Sequence, residues 1–271
     1  MMNLQAQTTF HNEATDTTRI NDMLIEVMAA RPASPGDAVV MFADRFIGTP
    51  YVGGTLEGDP EMLRINLDQL DCTTFAESMM ALALTIDEKR SSWRDFTHNL
   101  RNIRYRDGKI NGYPSRLHYI SDWAVDNVHR GNFKDATTQF PRYSYEVKTI
   151  DFMSANASRY KALADSANLA QIKRVEMPYR RHRFPYIKTR DLALKDVKAA
   201  FRNGDIVAFT SSLSNLDVAH MGIVKMRDGE PYVVHASSSA GKVVLSDEPI
   251  DRFVKRNRNF TGVRVFRLSS H

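Results

Sequence analysis

One cysteine, Cys72, stands in 271 residues, so no disulfide can form within the chain. The same scarcity removes any zinc site built on several thiolates. No stretch reaches the ~18 uninterrupted apolar residues of a membrane span. From Met1 to Asp22 the sequence is polar and has no apolar h-region, so no intact signal peptide is expected. Internal repeats and low-complexity linkers are missing. So are helix-turn-helix, zinc-finger and RNA-binding signatures, and nucleic acid is not an expected partner. Acidic residues are fewer than basic ones, 32 against 37, for a formal net charge of +5. That excess favours an acidic partner or surface. The basic residues are scattered, however, and their densest run, Arg180-Arg181-His182-Arg183, reads as a solvated loop.

What is present is ordinary globular composition, 42% hydrophobic and 25% charged. The length suits one or two domains and can bury a core without a covalent staple. A lone cysteine is therefore either a small buried hydrophobe or a reactive thiol.

The first half reads helical. Ile20, Met23, Leu24 and Val27 form a stripe that predicts a helix over 17–30. Ser34-Pro35 opens a second helix that runs to about Ile47. An irregular stretch, 49–57, carries the pair Gly53-Gly54. Arg64 to Leu67 reads as a short strand. From Cys72 a helix resumes through Phe75, Met79, Leu82, Ala83 and Ile86. Further helices are expected over 91–103 and 118–129. Residues 132–190 read as an insertion within the domain, with strand-like pieces around a helical segment near 154–167. The last third is rich in Val, Ile, Phe and Tyr, and turns such as Asp228-Gly229 cut it into strands near 205–209, 218–226, 232–236, 242–245 and 262–267. Helices followed by a run of strands predict an α+β fold, with helices packed on an antiparallel sheet or barrel.

Cys72 sits at the expected start of a helix. The partial positive charge and unpaired N–H groups there favour a thiolate and suit a developing oxyanion. A nucleophilic thiol needs a base, and the base needs an orienting group. His220 and His235 lie in consecutive strands joined by the turn Arg227-Asp228-Gly229-Glu230. Antiparallel pairing makes them neighbours on one face. Zinc binding by the two histidines is the metal alternative, but no HExxH-type motif completes a ligand set, and no metal or cofactor is expected.

The ordered blocks Thr49-Pro50-Tyr51-Val52-Gly53-Gly54, Asp71-Cys72, Gly204 to Phe209, His220 to Val224, Val234 to Ser238 and Phe260 to Phe266 resemble the NlpC-type cell-wall cysteine peptidases, which have a papain-like α+β fold. Each block is short, and together they frame most of the chain from 45 to 268; the resemblance implies one domain of this type over 1–271, with the helices of 1–48 at its start. One departure matters. Peptidases that cut γ-D-glutamyl bonds usually follow the nucleophile with Ser-Gly, and here Thr73-Thr74-Phe75 follows. With Arg64 to Leu70 ahead of Asp71, and Ser115 to Trp123 after it, the chain looks like a separate branch associated with N-acetylmuramoyl-L-alanine amidase activity.

The resemblance implies hydrolysis of the amide between the muramyl lactyl group and L-alanine in small anhydromuramyl peptides. It implies Cys72 as nucleophile, His220 as base and His235 as orienting group. Tyr51 would reach towards the thiolate or the oxyanion. Asp71 would bind substrate or cap the helix. Arg116, His118 and Trp123 would contact substrate, Arg116 holding a carboxylate and Trp123 stacking on a sugar. A γ-D-glutamyl endopeptidase and a non-catalytic muropeptide-binding module are the alternatives. The expected partner is a muropeptide or peptidoglycan fragment, the expected state a monomer, and the expected place the cell envelope or periplasm, otherwise the cytoplasm.

Overall fold

A computed structural model describes residues 7–269. The chain begins with a short strand, β1 (Thr8–Phe10), and a helix, α1 (Glu13–Ala29). The helix starts four residues ahead of the expected position because Asn12 caps it, its side chain accepting from the Thr15 N–H. The stripe Ile20, Met23, Leu24, Val27 is its buried face. Ser34 caps α2 (Pro35–Arg45) by accepting from the Asp37 N–H, and Pro35 occupies the first turn.

After α2 comes β2 (Leu63–Ile65), which pairs in parallel with β1. The helix α3 (Cys72–Asp87) follows. Every residue of α3 from Thr74 to Ile86 is buried, so it is a central helix rather than an amphipathic one. Then come α4 (Trp93–Arg104) and α5 (Ile120–His129), capped by Ser92 and entered at Tyr119 respectively. The five helices and one face of the sheet enclose the largest hydrophobic cluster. No helix among the described residues is long and apolar enough to cross a membrane.

The sheet contains β4 (Ser144–Lys148), β5 (His182–Lys188), β6 (Ile206–Ser211), β7 (Val218–Arg227), β8 (Glu230–Ser237), β9 (Lys242–Leu245) and β10 (Phe260–Arg267). Their spatial order is β4-β5-β10-β6-β7-β8-β9, and a short β3 (Lys134–Asp135) pairs with the end of β10. All these pairings are antiparallel.

Three expectations need correction. The sheet is open, with β4 and β9 at its edges, and is not a barrel. The strands are a meander only from β6 to β9. The last strand, β10, returns to the middle and joins β6 to β5. Within 132–190, the expected helix at 154–167 is instead a set of short turns. The regular helix there is α6 (Ser166–Glu176), which begins where the Asp165 side chain accepts from the Ala167 N–H.

Glycine matters at two contacts. A Cβ on Gly36 would lie 2.1 Å from the Asn203 carbonyl oxygen, and one on Gly204 would lie 2.2 Å from the Gly36 oxygen. The start of α2 is thereby pressed on the turn before β6. The β7–β8 turn uses Asp228 and Gly229 at φ 51° and 79°, the doubly left-handed pair that matches strand twist.

Candidate active site

The site is assembled where the first turn of α3 meets β7 and β8. Asp71 is the N-cap. Its Oδ1 accepts from the Thr74 N–H at 2.7 Å, and its own N–H donates to Thr74 Oγ1 at 2.9 Å. This reciprocal box fixes the entry of the helix and presents Cys72 as its first residue. Asp71 therefore has its side chain committed to the cap, one of the two roles left open by the sequence.

Tyr51 is brought beside the thiol by main-chain threading. Its N–H donates to Gly241 O (2.8 Å), while Leu70 N–H donates to Pro50 O (3.0 Å) and Val52 N–H to Leu70 O (3.2 Å). Burial raises the Tyr51 hydroxyl pKa, and the nearby charges of Cys72 and Asp71 add to the rise.

The β7–β8 ladder pairs Ile223–Arg227 with Glu230–Val234. Just beyond that ladder the two histidines face each other. His220 Nε2 lies 2.9 Å from His235 Nδ1, with the rings edge to face at 86°. Phe209 stacks on His220 at 5.6 Å, Phe260 lies parallel to it at 6.2 Å, and Phe253 meets His235 edge-on at 5.0 Å. These aromatic walls fix both rings. A register shift between Phe209 and Thr210 in the β6–β7 pairing sets the approach to His220.

Cys72 packs against the helical cluster, and the main-chain amide of Met221, the residue after His220, lies against its sulfur. Thr73 Oγ1 is 4.0 Å from Sγ. Among the described residues no hydrogen bond joins Cys72 to His220. Burial pushes the thiol up to about 11, with the Asp71 charge adding to the rise and the Met221 amide and Thr73 hydroxyl opposing it. Burial also holds His220 down to about 3, helped by His235, and His235 itself down to about 4. The resting site is thus a neutral thiol beside neutral imidazoles.

The three residues nominated for substrate contact are placed otherwise. Trp123 is fully buried between Phe133 (4.5 Å) and Phe266 (5.5 Å), so it is a core ring and cannot stack on a sugar. Arg116 is 6% exposed; its Nη2 is 2.8 Å from Glu57 Oε1 and its Nε 3.6 Å from Glu61 Oε1. Two carboxylates already compensate that guanidinium, so it is not a free carboxylate clamp. His118 donates from Nε2 to the Tyr113 carbonyl at 3.0 Å and packs on that ring at 4.4 Å; burial holds it down to about 3.

Sequence reasoning missed the Met221 amide, which carries no side-chain signal. It also missed Asp217, whose Oδ2 accepts from Ser121 N–H at 2.5 Å and whose Oδ1 accepts from Val218 N–H at 2.8 Å. A buried carboxylate at the head of the His220 strand, meeting the N-terminus of α5, anchors that strand to the helical layer. An acid one residue before the run Val218-Ala219-His220 was the available clue.

The buried histidines predict acid sensitivity. Above about pH 6.5 the unfolded chain also holds its histidines neutral, and their neutral burial costs no proton linkage. As pH falls below that value, the unfolded chain takes up protons that His118, His220 and His235 refuse until about pH 3–4. Stability is therefore present above pH 6.5 and lost as pH falls through the window to 4. The expected slope reaches about 1.4 kcal/mol per pH unit for each histidine. Urea midpoints at pH 7, 5.5 and 4.5 check it, and a midpoint that stays constant would show the rings are not held neutral.

The fold recurs in known proteins. The solved structure of an N-acetylmuramoyl-L-alanine amidase from Bacteroides uniformis is 40% identical with a TM-score of 0.81, covering 87% of this chain and 99% of that one. A Bacteroides fragilis protein described as a candidate xylanase is 39% identical with a TM-score of 0.78, covering 83% and 99%. A Legionella pneumophila protein of the DUF1460 family shares the fold at 19% identity and a TM-score of 0.72, covering 98% and 97%. No curated protein matches the chain. The model of the AmiA-like family, described as N-acetylmuramoyl-L-alanine amidase-like, matches residues 41–263, and the chain belongs to that family.

Proposed function

We propose that this protein is a cysteine-dependent amidase of the NlpC-type, papain-like group. It hydrolyses the lactyl–L-alanine amide of small muramyl or anhydromuramyl peptides in peptidoglycan turnover or recycling. The observation that carries this reading is the His220–His235 bond beside the strand amide that faces Cys72. The name of the Bacteroides uniformis relative supports the choice of bond.

His235 engages Nε2 of His220, leaving Nδ1 as the nitrogen able to take a proton. For that, Nε2–H must donate to His235 Nδ1, which fixes the tautomer. Because the resting pair is neutral, proton transfer accompanies attack. Sγ bonds to the lactyl carbonyl carbon as His220 Nδ1 receives the thiol proton. The carbonyl oxygen becomes an oxyanion, stabilised by first-turn amides of α3 and the Tyr51 hydroxyl. The C–N bond then breaks, and His220 gives its proton to the departing L-alanine nitrogen. Water, losing a proton to His220 Nδ1, attacks the thioester; the C–S bond breaks, the sulfur takes that proton back from Nδ1, and the lactyl acid leaves.

A glycosidase reading would require two carboxylates roughly 5–9.5 Å apart across a sugar bond. Beside Cys72, Asp71 already has its carboxylate in the helix cap. The test is product analysis by mass spectrometry after incubation with anhydromuramyl-tetrapeptide. Free tetrapeptide and anhydro-N-acetylmuramic acid are expected with the wild type and not with Cys72→Ala. L-Ala-D-Glu left on the sugar identifies a γ-D-glutamyl endopeptidase instead. No cleavage, with no thiol reactivity, identifies a binding module.

A further inference from the structure

The edge of the sheet presents a face of unusual composition. Tyr145 and Val147 of β4 point outward, 46% and 55% exposed, and Tyr143 beside them is 43% exposed. The register sets Val147 opposite Arg183 and Tyr145 opposite Pro185, so Arg183 shares this face. Its guanidinium lies 3.7 Å from the centroid of the Tyr145 ring, and the rings of Tyr143 and Tyr145 meet edge-on at 5.7 Å. Arg142 stands at one end of the strand. Arg181 stands at the other, its N–H donating to Thr149 Oγ1 at 3.2 Å.

The charge here is uncompensated. Among the described residues Arg142, Arg181 and Arg183 have no acidic partner. Glu146, the acid of the strand, turns to the opposite face and lies 3.4 Å from Lys148 Nζ. Arg181 also holds a left-handed φ of 51°. A side chain with a Cβ adopts that conformation at a cost that glycine avoids. The basic run of the sequence is therefore not a solvated loop throughout. Part of it is fixed on a strand face among aromatic and aliphatic side chains.

We propose that this face docks on a membrane surface with anionic headgroups. Cations alone would suit any polyanion, and the apolar residues decide between them. Tyrosine rings sit favourably at the water–lipid boundary, polar tip outward. Val147, exposed in the centre of the face, gains only by leaving water for an apolar phase. A soluble polyanion offers it nothing. Each arginine near an anionic bilayer strengthens binding by about fivefold, so the three give roughly 100-fold over a neutral surface. The interaction is reversible and salt-sensitive, since these charges act within a Debye length. In the sheet, β5, β10 and β6 separate β4 from the β7–β8 site, so a docked enzyme would still meet soluble fragments.

The test is co-sedimentation of the full chain with mixed phosphatidylglycerol–phosphatidylcholine vesicles and with pure phosphatidylcholine vesicles. Binding to the anionic vesicles is expected to be at least about tenfold tighter at low salt, and to be lost near ~0.5 M salt. Arg181→Glu/Arg183→Glu should weaken it by about 20-fold or more. Tyr145→Ala/Val147→Ala should weaken it at every salt concentration at which the wild type binds. Both variants should keep the wild-type melting curve and hydrolytic rate. The proposal is overturned if both vesicle types bind alike, or if either variant binds as the wild type does. It is equally overturned if heparin, a soluble anionic polysaccharide, binds tightly while anionic vesicles do not.

Discussion

Cys72→Ala is expected to reduce hydrolysis of the muramyl amide to background, a loss of roughly 10⁶-fold in kcat. His220→Ala should cost about 10³- to 10⁴-fold, because in the proposed mechanism both the proton removed from the thiol and the proton given to the leaving nitrogen pass through its Nδ1. His235→Ala should cost about 10²-fold, mostly in kcat. The 2.9 Å bond to His235 holds a ring that Phe209 and Phe260 already confine. The double variant Cys72→Ala/His220→Ala should be no slower than Cys72→Ala, since residues acting as one unit are not additive. Steady-state kinetics on one muropeptide check all four. A His220→Ala enzyme with unchanged kcat would remove the base from the account.

The second large effect concerns what supports α3, the helix that begins at Cys72. Glu77, on α3 five residues after Cys72, meets Arg104 at the end of α4. The Arg104 Nε lies 2.7 Å from Glu77 Oε2, and both side chains are 2% exposed. Arg104 Nη1 also donates to the Arg64 carbonyl at 2.8 Å, tying β2 to the pair. Burial raises the Glu77 pKa, and the Arg104 charge opposes that rise. Glu77→Ala should lower the unfolding free energy by about 3–5 kcal/mol, because it strands a guanidinium in the interior. Glu77→Leu/Arg104→Met should cost much less, since no charge is left unpaired. Urea denaturation measures both. If the single variant were as stable as the double, the charge pair would not be what joins α3 to α4.

Much of the site could be read from the sequence because its determinants are local. Asp71 precedes Cys72 and Thr74 follows within one turn, so the cap and the half-buried first-turn cysteine are written in four residues. Asp228-Gly229 announces a tight turn, and a tight turn fixes the register that brings His220 to His235. The misses come from contacts between distant residues. Arg116 reads as free until Glu57, 59 residues away, is folded against it. Trp123 reads as a sugar platform until Phe133 and Phe266 close over it. The central position of β10 follows from pairings with strands some 50 and 75 residues earlier in the chain, which no local pattern encodes. In the segment 132–190, Pro185 inside β5 argues against a strand by local rules, yet the strand forms between β4 and β10.

The central claim is that Cys72 carries the lactyl acyl group during turnover. Acid quenching of the enzyme during reaction with anhydromuramyl-tetrapeptide, followed by intact-protein and peptide mass spectrometry, tests it directly. The account predicts a transient adduct on the Cys72 peptide with the mass of the anhydromuramyl acyl group and no amino acid attached. An adduct that also carries L-Ala-D-Glu, or turnover with Cys72 unmodified and replaceable, would contradict it.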